Sequence, residues 1–218
     1  MANVKQQLEI PAIPSLGISG EVYSQSLQNQ NNSNLRIFFT KLVNSIQSVI
    51  GPRGGKYLNN PYGAFHNESD QAATSTTTAY PVYFTNTDFS NGVTIANNSQ
   101  ITVAVDGIWN LQFSLQIKNV SNDGQDFDIW IRKNGVNIAN SNSRFHIPAR
   151  KSTGDPSHAV AALNFFESLL ATDYIEIVGA VTSTDVSLEA FPAGTSPTRP
   201  AIPSAIATMT FVSNLPTQ

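Results

Sequence analysis

Trp109-Asn110-Leu111-Gln112-Phe113-Ser114-Leu115-Gln116-Ile117 places a large apolar side chain at every odd position and a polar one at every even position. A period of two sustained over this length specifies a β-strand with one buried face and one wet face. Gly107 precedes the run, and shorter strand-like runs surround it.

Upstream, Tyr80 to Phe84 and Val93 to Ile95 are strand-like. Ile101-Thr102-Val103-Ala104-Val105 then alternates before Asp106-Gly107 turns into the long strand. Downstream, Phe127 to Arg132 leads through Asn134-Gly135 into Val136 to Ile138. Asn-Gly between two strands is a strong hairpin signal, because both residues tolerate positive φ. Val160 to Phe166, Tyr174 to Val178, Val186 to Phe191 and Ile206 to Val212 supply further strands. Many short strands separated by frequent turns predict an antiparallel sandwich or jelly roll over residues 79–214. Two strands lack a polar face. Ala161-Ala162-Leu163-Asn164-Phe165-Phe166 is apolar in both phases, and Trp130 lies on the even face of Phe127 to Arg132. A two-faced strand calls for cover on its outer side, and a neighbouring subunit is the simplest cover.

The N-terminal part reads differently. Residues 1–33 form an extended arm, stiffened at Ile10-Pro11-Ala12-Ile13-Pro14 and polar at Gln28 to Asn34. Such an arm is either disordered or laid along another subunit. Residues 34–50 predict an amphipathic helix capped by Ser33 or Asn34 and stopped by Gly51-Pro52. Its stripe is Leu35, Phe38, Phe39, Leu42, Val43, Ile46, Val49 and Ile50. That stripe either packs on the body of its own chain or associates with copies of itself as a three-fold stub. Residues 51–78 form a connector with a hinge at Gly51-Pro52-Arg53-Gly54-Gly55-Lys56 and a Ser/Thr spacer at Thr74 to Thr78. The hinge lacks the preceding strand and the Lys-Ser/Thr of a phosphate loop. Residues 79–218 form the β domain.

Composition limits the partners. Charged residues are 12% of the chain and the net charge is −3, about half the usual charged share. A surface rich in Asn, Gln, Ser and Thr suits contact with proteins or sugars, and nothing supplies the basic stripe that nucleic acid requires. The chain has no cysteine, so disulfides and thiolate metal sites are excluded. No apolar run is long enough to span a bilayer, and Met1 to Ile10 shows no secretory signal, so the expectation is a soluble chain made in a cytoplasm.

Chemistry is sparse, and neither cofactor nor catalytic assembly is expected. Asn122-Asp123-Gly124-Gln125-Asp126-Phe127-Asp128 is the one dense carboxylate cluster. Asp123, Asp126 and Asp128 are weak candidates for Ca²⁺, against a solvated loop as the simpler account. His66, His146 and His158 are scattered and read as surface polar residues. Glu167, Glu176 and Glu189 each fit the polar face of a strand, although a glycosidase would need two such carboxylates facing each other. Trp130 and Tyr174 lie on polar phases, and with Phe165 and Arg199 they are the candidates for a subunit interface or receptor contact. Arg199 sits in Pro192 to Pro200, a proline-stiffened loop that serves either for binding or as a structural connection.

Gly107-Ile108-Trp109-Asn110-Leu111-Gln112-Phe113 resembles the Gly-x-aromatic-x-apolar-x-Phe strand of the C1q/TNF-like jelly roll. Leu169 to Ile177 resembles that family's Leu-x-x-Gly-Asp-x-apolar segment, with Thr172 where glycine is usual. The last strand, Ala205 to Val212, lacks the glycine often found there. Asn60 to Phe65, Asp128 to Gly135 and Ala193 to Ser204 look like small virion proteins of tailed bacteriophages. The resemblance implies a homotrimeric, non-enzymatic virion structural protein, made in a bacterial host cytoplasm and held by its N-terminal region on a tail adaptor or nozzle or on the major capsid protein. A short tail fibre or spike touching a host-surface glycan is the favoured form. Capsid decoration, cement or a surface knob of the same fold is the alternative, and a carbohydrate-binding module or polysaccharide-degrading enzyme is a more distant one.

Overall fold

A computed structural model describes residues 11–18, 20, 22–50 and 60–215. They fall into two units divided between Asn59 and Asn60. Residues 1–10, the Gly51 to Lys56 hinge and the side chains of Val49 and Ile50 lie outside what is described.

The first unit is one helix, α1 (Gln25–Ile50), with residues 11–17 beside it. It starts well before the expected residue 34. Ser24 caps it: its carbonyl accepts from Gln28 N–H at 3.1 Å, and its Oγ lies 3.4 Å from Leu27 N. The polar patch expected to be arm is therefore helical. Gln28 bonds Asn32 one turn on, and the Asn31 amide takes both the N–H and the carbonyl of Gly17, at 3.0 and 2.9 Å. Asn31 thus supplies the polar partners of an extended segment, so Pro11 to Ser15 lies against Asn34, Ile37, Phe38 and Lys41 of its own helix. Residues 25–33, expected to be extended arm, are thus the first turns of the helix.

The second unit is all β. Its first eight strands are β1 (Tyr62–Asn67), β2 (Gln71–Ala72), β3 (Tyr80–Pro81), β4 (Asn86–Asn91), β5 (Val93–Ala96), β6 (Gln100–Val103), β7 (Gly107–Asn119) and β8 (Gln125–Lys133). The other eight are β9 (Val136–Asn137), β10 (Ser143–Ile147), β11 (Ser157–Leu169), β12 (Tyr174–Val181), β13 (Val186–Leu188), β14 (Gly194–Thr195), β15 (Thr198–Arg199) and β16 (Ala205–Ser213). One antiparallel sheet runs β2-β13-β7-β16-β1-β4, with β11 on the other edge of β7. The second runs β10-β8-β12-β6-β5, with β3 on β12 and β9 on β8.

The alternating run is the middle of β7, which pairs with β11 along its whole length. Trp109, Leu111, Phe113, Leu115 and Ile117 are at most 4% exposed and join Phe127, Ile129, Ile131, Ile175 and Ile177 of the second sheet in one core. Burying each such side chain contributes about 1.5–3 kcal/mol. Gly107 is required by close approach: a Cβ there would enter the ring of Phe211 and lie 2.8 Å from the Ser213 carbonyl. The Asn134-Gly135 hairpin forms as expected, with φ of 49° and 81°.

The expected connector is corrected. Residues 62–67 are β1, held between β16 and β4, with Phe65 fully buried. The register shift opposite Ala64 and Phe65 falls on β4, where Asp88 is the extra residue, and Phe65 faces the core.

Candidate functional site

No described residue from 11 to 47 is buried. On α1, Leu27, Asn31, Leu35, Phe38 and Leu42 are half-buried at helical spacing. Ile37, Phe39, Val43 and Ile46 are 45–55% exposed. The helix carries Arg36 and Lys41 and no carboxylate, so no intrahelical ion pair supports it. An isolated helix of this kind is marginal in water and takes its stability from packing. Phe39, Val43 and Ile46 form an exposed stripe along the helix at steps of four and three.

The outward faces of the two sheets differ in chemistry. Alternation in the second sheet turns Asp126, Asp128, Trp130 and Arg132 of β8, Arg144 and His146 of β10, and Glu176 of β12 outward. Arg144 holds Asp128 through two bonds of 2.8 Å and reaches Asp126 at 3.6 Å, while His146 Nδ1 lies 2.8 Å from Asp126. A guanidinium therefore stands between the two carboxylates that a cation would have to bridge. Asp123 is held through its backbone, its carbonyl accepting from Asn119 Nδ2 at 3.0 Å and its N–H donating to Ser121 Oγ at 3.2 Å. No metal-binding group of His, Cys, Asp or Glu exists among the described residues, and the weak Ca²⁺ assignment to Asp123, Asp126 and Asp128 is withdrawn. Trp130 lies across from the buried Val178 and donates its indole N–H to Asn137 Oδ1 at 2.8 Å. Arg132 covers the buried Glu176, which also accepts from Ser99 at 2.8 Å. The chain thus covers the Trp130 face with its own side chains.

The first sheet is the opposite. Alternation turns outward Asn110, Gln112, Ser114 and Gln116 of β7, Val160, Ala162, Asn164 and Phe166 of β11, and Ile206, Thr208 and Thr210 of β16. None is charged. Val160 and Phe166 are 56% and 59% exposed. Gln112, Ser114, Ala162, Asn164, Ile206 and Thr208 line a shallow depression at the centre. Charge lies at the margins of this sheet, where Glu189 binds Lys118 Nζ and His158 Nε2, each at 2.7 Å, and where His66 of β1 meets Asp88 of β4 at 2.9 Å. Burial alone would raise the Glu189 pKa, but these hydrogen bonds and charges outweigh it and leave it below the usual carboxylate range. Glu176 and Glu189 lie on the outward faces of different sheets and form no facing pair.

Phe165 is not the exposed member of its pair. It packs inward on the core, stacked on Phe113 at 6.3 Å, and Phe166 faces out. Register decides this, because Leu163 opposite Phe113 sets the odd positions of β11 inward. Tyr174 is half-buried at the start of β12, its backbone N–H donated to Asn134 Oδ1 at 2.9 Å. Arg199 is exposed on the β14-β15 hairpin and folds across Gly194, within 2.7 Å of where a Cβ would stand. Backbone bonds between Phe191 and Ile202, 2.9 Å in both directions, close that loop into a finger. Sequence reasoning missed Val160, Phe166 and Ile206 as a group, since three strands distant in sequence present them together. No protein-family model matches the chain, and no curated protein matches it.

Proposed function

We propose that this chain is a non-enzymatic structural protein of a tailed-phage virion. It acts as a homotrimer, with the N-terminal unit docking on the particle and the β unit projecting as a C1q/TNF-like jelly roll. The observation that carries this reading is the N-terminal unit itself: a long helix in which no described residue is buried, with Phe39, Val43 and Ile46 exposed in one stripe. Such a helix folds with partners. The uncharged outward face of β7, β11 and β16 supports self-association of the β unit as well.

Strand order supports the finer fold. Among the eight principal strands β1, β6, β7, β8, β10, β11, β12 and β16, one sheet is ordered first-eighth-third-sixth and the other second-seventh-fourth-fifth. Two Greek keys folded on each other give this order. Thr172 also supports the resemblance: it adopts φ of 74° at the position where the family carries glycine.

A short tail fibre or spike is the preferred location. Size exclusion with light scattering on the full chain should give about three times the 23.5 kDa of the monomer. The triple change Phe39→Ser, Val43→Ser and Ile46→Ser should lower that mass. A wild-type monomer at micromolar concentration would overturn the reading. Cryo-electron microscopy of the particle separates the locations, since density at icosahedral three-fold positions would replace the fibre with capsid decoration.

A further inference from the structure

The two sheets close over one core except along one edge. There the short strands β2 and β3 leave a cavity of about 450 Å³, within the size range of small-molecule sites. Its floor is Val82, Phe127, Val181, Val186 and Leu188, each at most 6% exposed. The absence of a Cβ at Gly179 admits the Phe127 ring to that floor.

The mouth is held by groups that satisfy one another. The Gln71 side-chain amide accepts from Tyr83 N–H at 2.8 Å and donates to the Tyr83 carbonyl at 3.2 Å, as a strand would. It also reaches Ser204 Oγ at 3.2 Å. Asn67 donates to the same Tyr83 carbonyl at 3.0 Å, and the Tyr80 hydroxyl is bonded to Thr74. These bonds join the edges of the two sheets and hold the cavity open before any ligand arrives, which lowers the cost of binding. Asp70 is the one charged residue of the lining, and one of its oxygens accepts from Ala190 N–H at 2.8 Å. Among the described residues, no Lys, Arg or His lines the cavity. An anion would therefore lose its hydration without gaining a partner.

We infer that this cavity binds small apolar molecules without negative charge, about the size of a substituted naphthalene.

A matched pair of probes tests it on the full chain: N-phenyl-1-naphthylamine, which is neutral, and 8-anilino-1-naphthalenesulfonate, which carries the same rings with a sulfonate. The neutral probe should bind saturably, one per chain, about tenfold or more tighter than the sulfonate. Its binding should shift the methyl resonances of Val82, Val181, Val186 and Leu188. Ala73→Phe, which fills the cavity from its lining, should weaken the neutral probe by about tenfold while leaving the melting temperature within a few degrees. Equal affinity for both probes would overturn the inference. So would unchanged binding by a folded Ala73→Phe protein, or methyl shifts confined to Leu35, Leu42, Val43 and Ile46 of the helix. If Ala73→Phe does not fold, the methyl map on the unaltered chain decides.

Discussion

Replacing Thr172 with glycine should stabilise the β unit. Thr172 sits in the turn between β11 and β12 with φ of 74°, and its side chain is exposed. A β-branched residue in the left-handed region is a conformational outlier, at a cost of about 1–3 kcal/mol. Glycine removes that strain but adds freedom to the unfolded chain, a loss of about 0.5–1 kcal/mol. The bond that fixes the turn, Thr172 N–H to the Val103 carbonyl at 2.8 Å, belongs to the backbone and survives the change. The net gain is then between about 0 and about 2.5 kcal/mol, with a central value of about 1 kcal/mol. With an m-value of about 2 kcal/mol/M, a gain of about 1 kcal/mol moves the urea midpoint up by about 0.5 M without changing the slope. Trp109 and Trp130 both lie in the β unit, so intrinsic fluorescence reads this transition. Thr172→Asn should recover part of the gain, since Asn tolerates the left-handed region. A glycine variant with an unchanged or lower midpoint, together with an asparagine variant that also fails to gain, would refute the strain argument.

Gly107→Ala should destabilise the β unit by about 1–3 kcal/mol, because the new Cβ enters the space of the Phe211 ring; urea denaturation measures it, and a neutral result would mean that Phe211 can move aside. Ser24→Ala should lower the helical signal in far-ultraviolet circular dichroism and cost about 1 kcal/mol through loss of the cap to Leu27; an unchanged spectrum and melting curve would show that α1 does not begin there. The lowered pKa of Glu189 stabilises the folded chain above the ordinary carboxyl range, and this contribution is lost as the pH falls through the folded-state value. Stability between pH 6 and pH 3 should therefore fall less steeply in Glu189→Gln than in the unaltered chain, and parallel curves would rule the group out. Asp173 is also lowered: burial opposes ionisation, and bonds from Asn134, Leu170 and Lys133 outweigh it, so Asp173→Asn should flatten the same acid limb.

Legibility followed the range of the interactions. The phase of β7, the Asn134-Gly135 hairpin and the existence of a helix are written in residues within a few positions of each other, and each forms as its local pattern dictates. The start of α1 was hidden because its signals are polar and partly distant. Ser24 caps it alone, and Asn31 is engaged by Gly17, fourteen positions away. Strand β1 was hidden because its glycine, alanine and polar residues imitate a loop.

The sequence by itself determined the class of each local segment, because periodicity is a property of neighbours along the chain. Which face each segment shows, and to what, was decided by register between strands far apart. Register turned Phe165 inward and Phe166 outward and set Arg144 between Asp126 and Asp128. It also gathered the uncharged positions of β7, β11 and β16 on one surface and left the cavity between β2 and β3. Pairing across a sheet depends on the whole chain at once, so these surfaces exist only in the folded molecule.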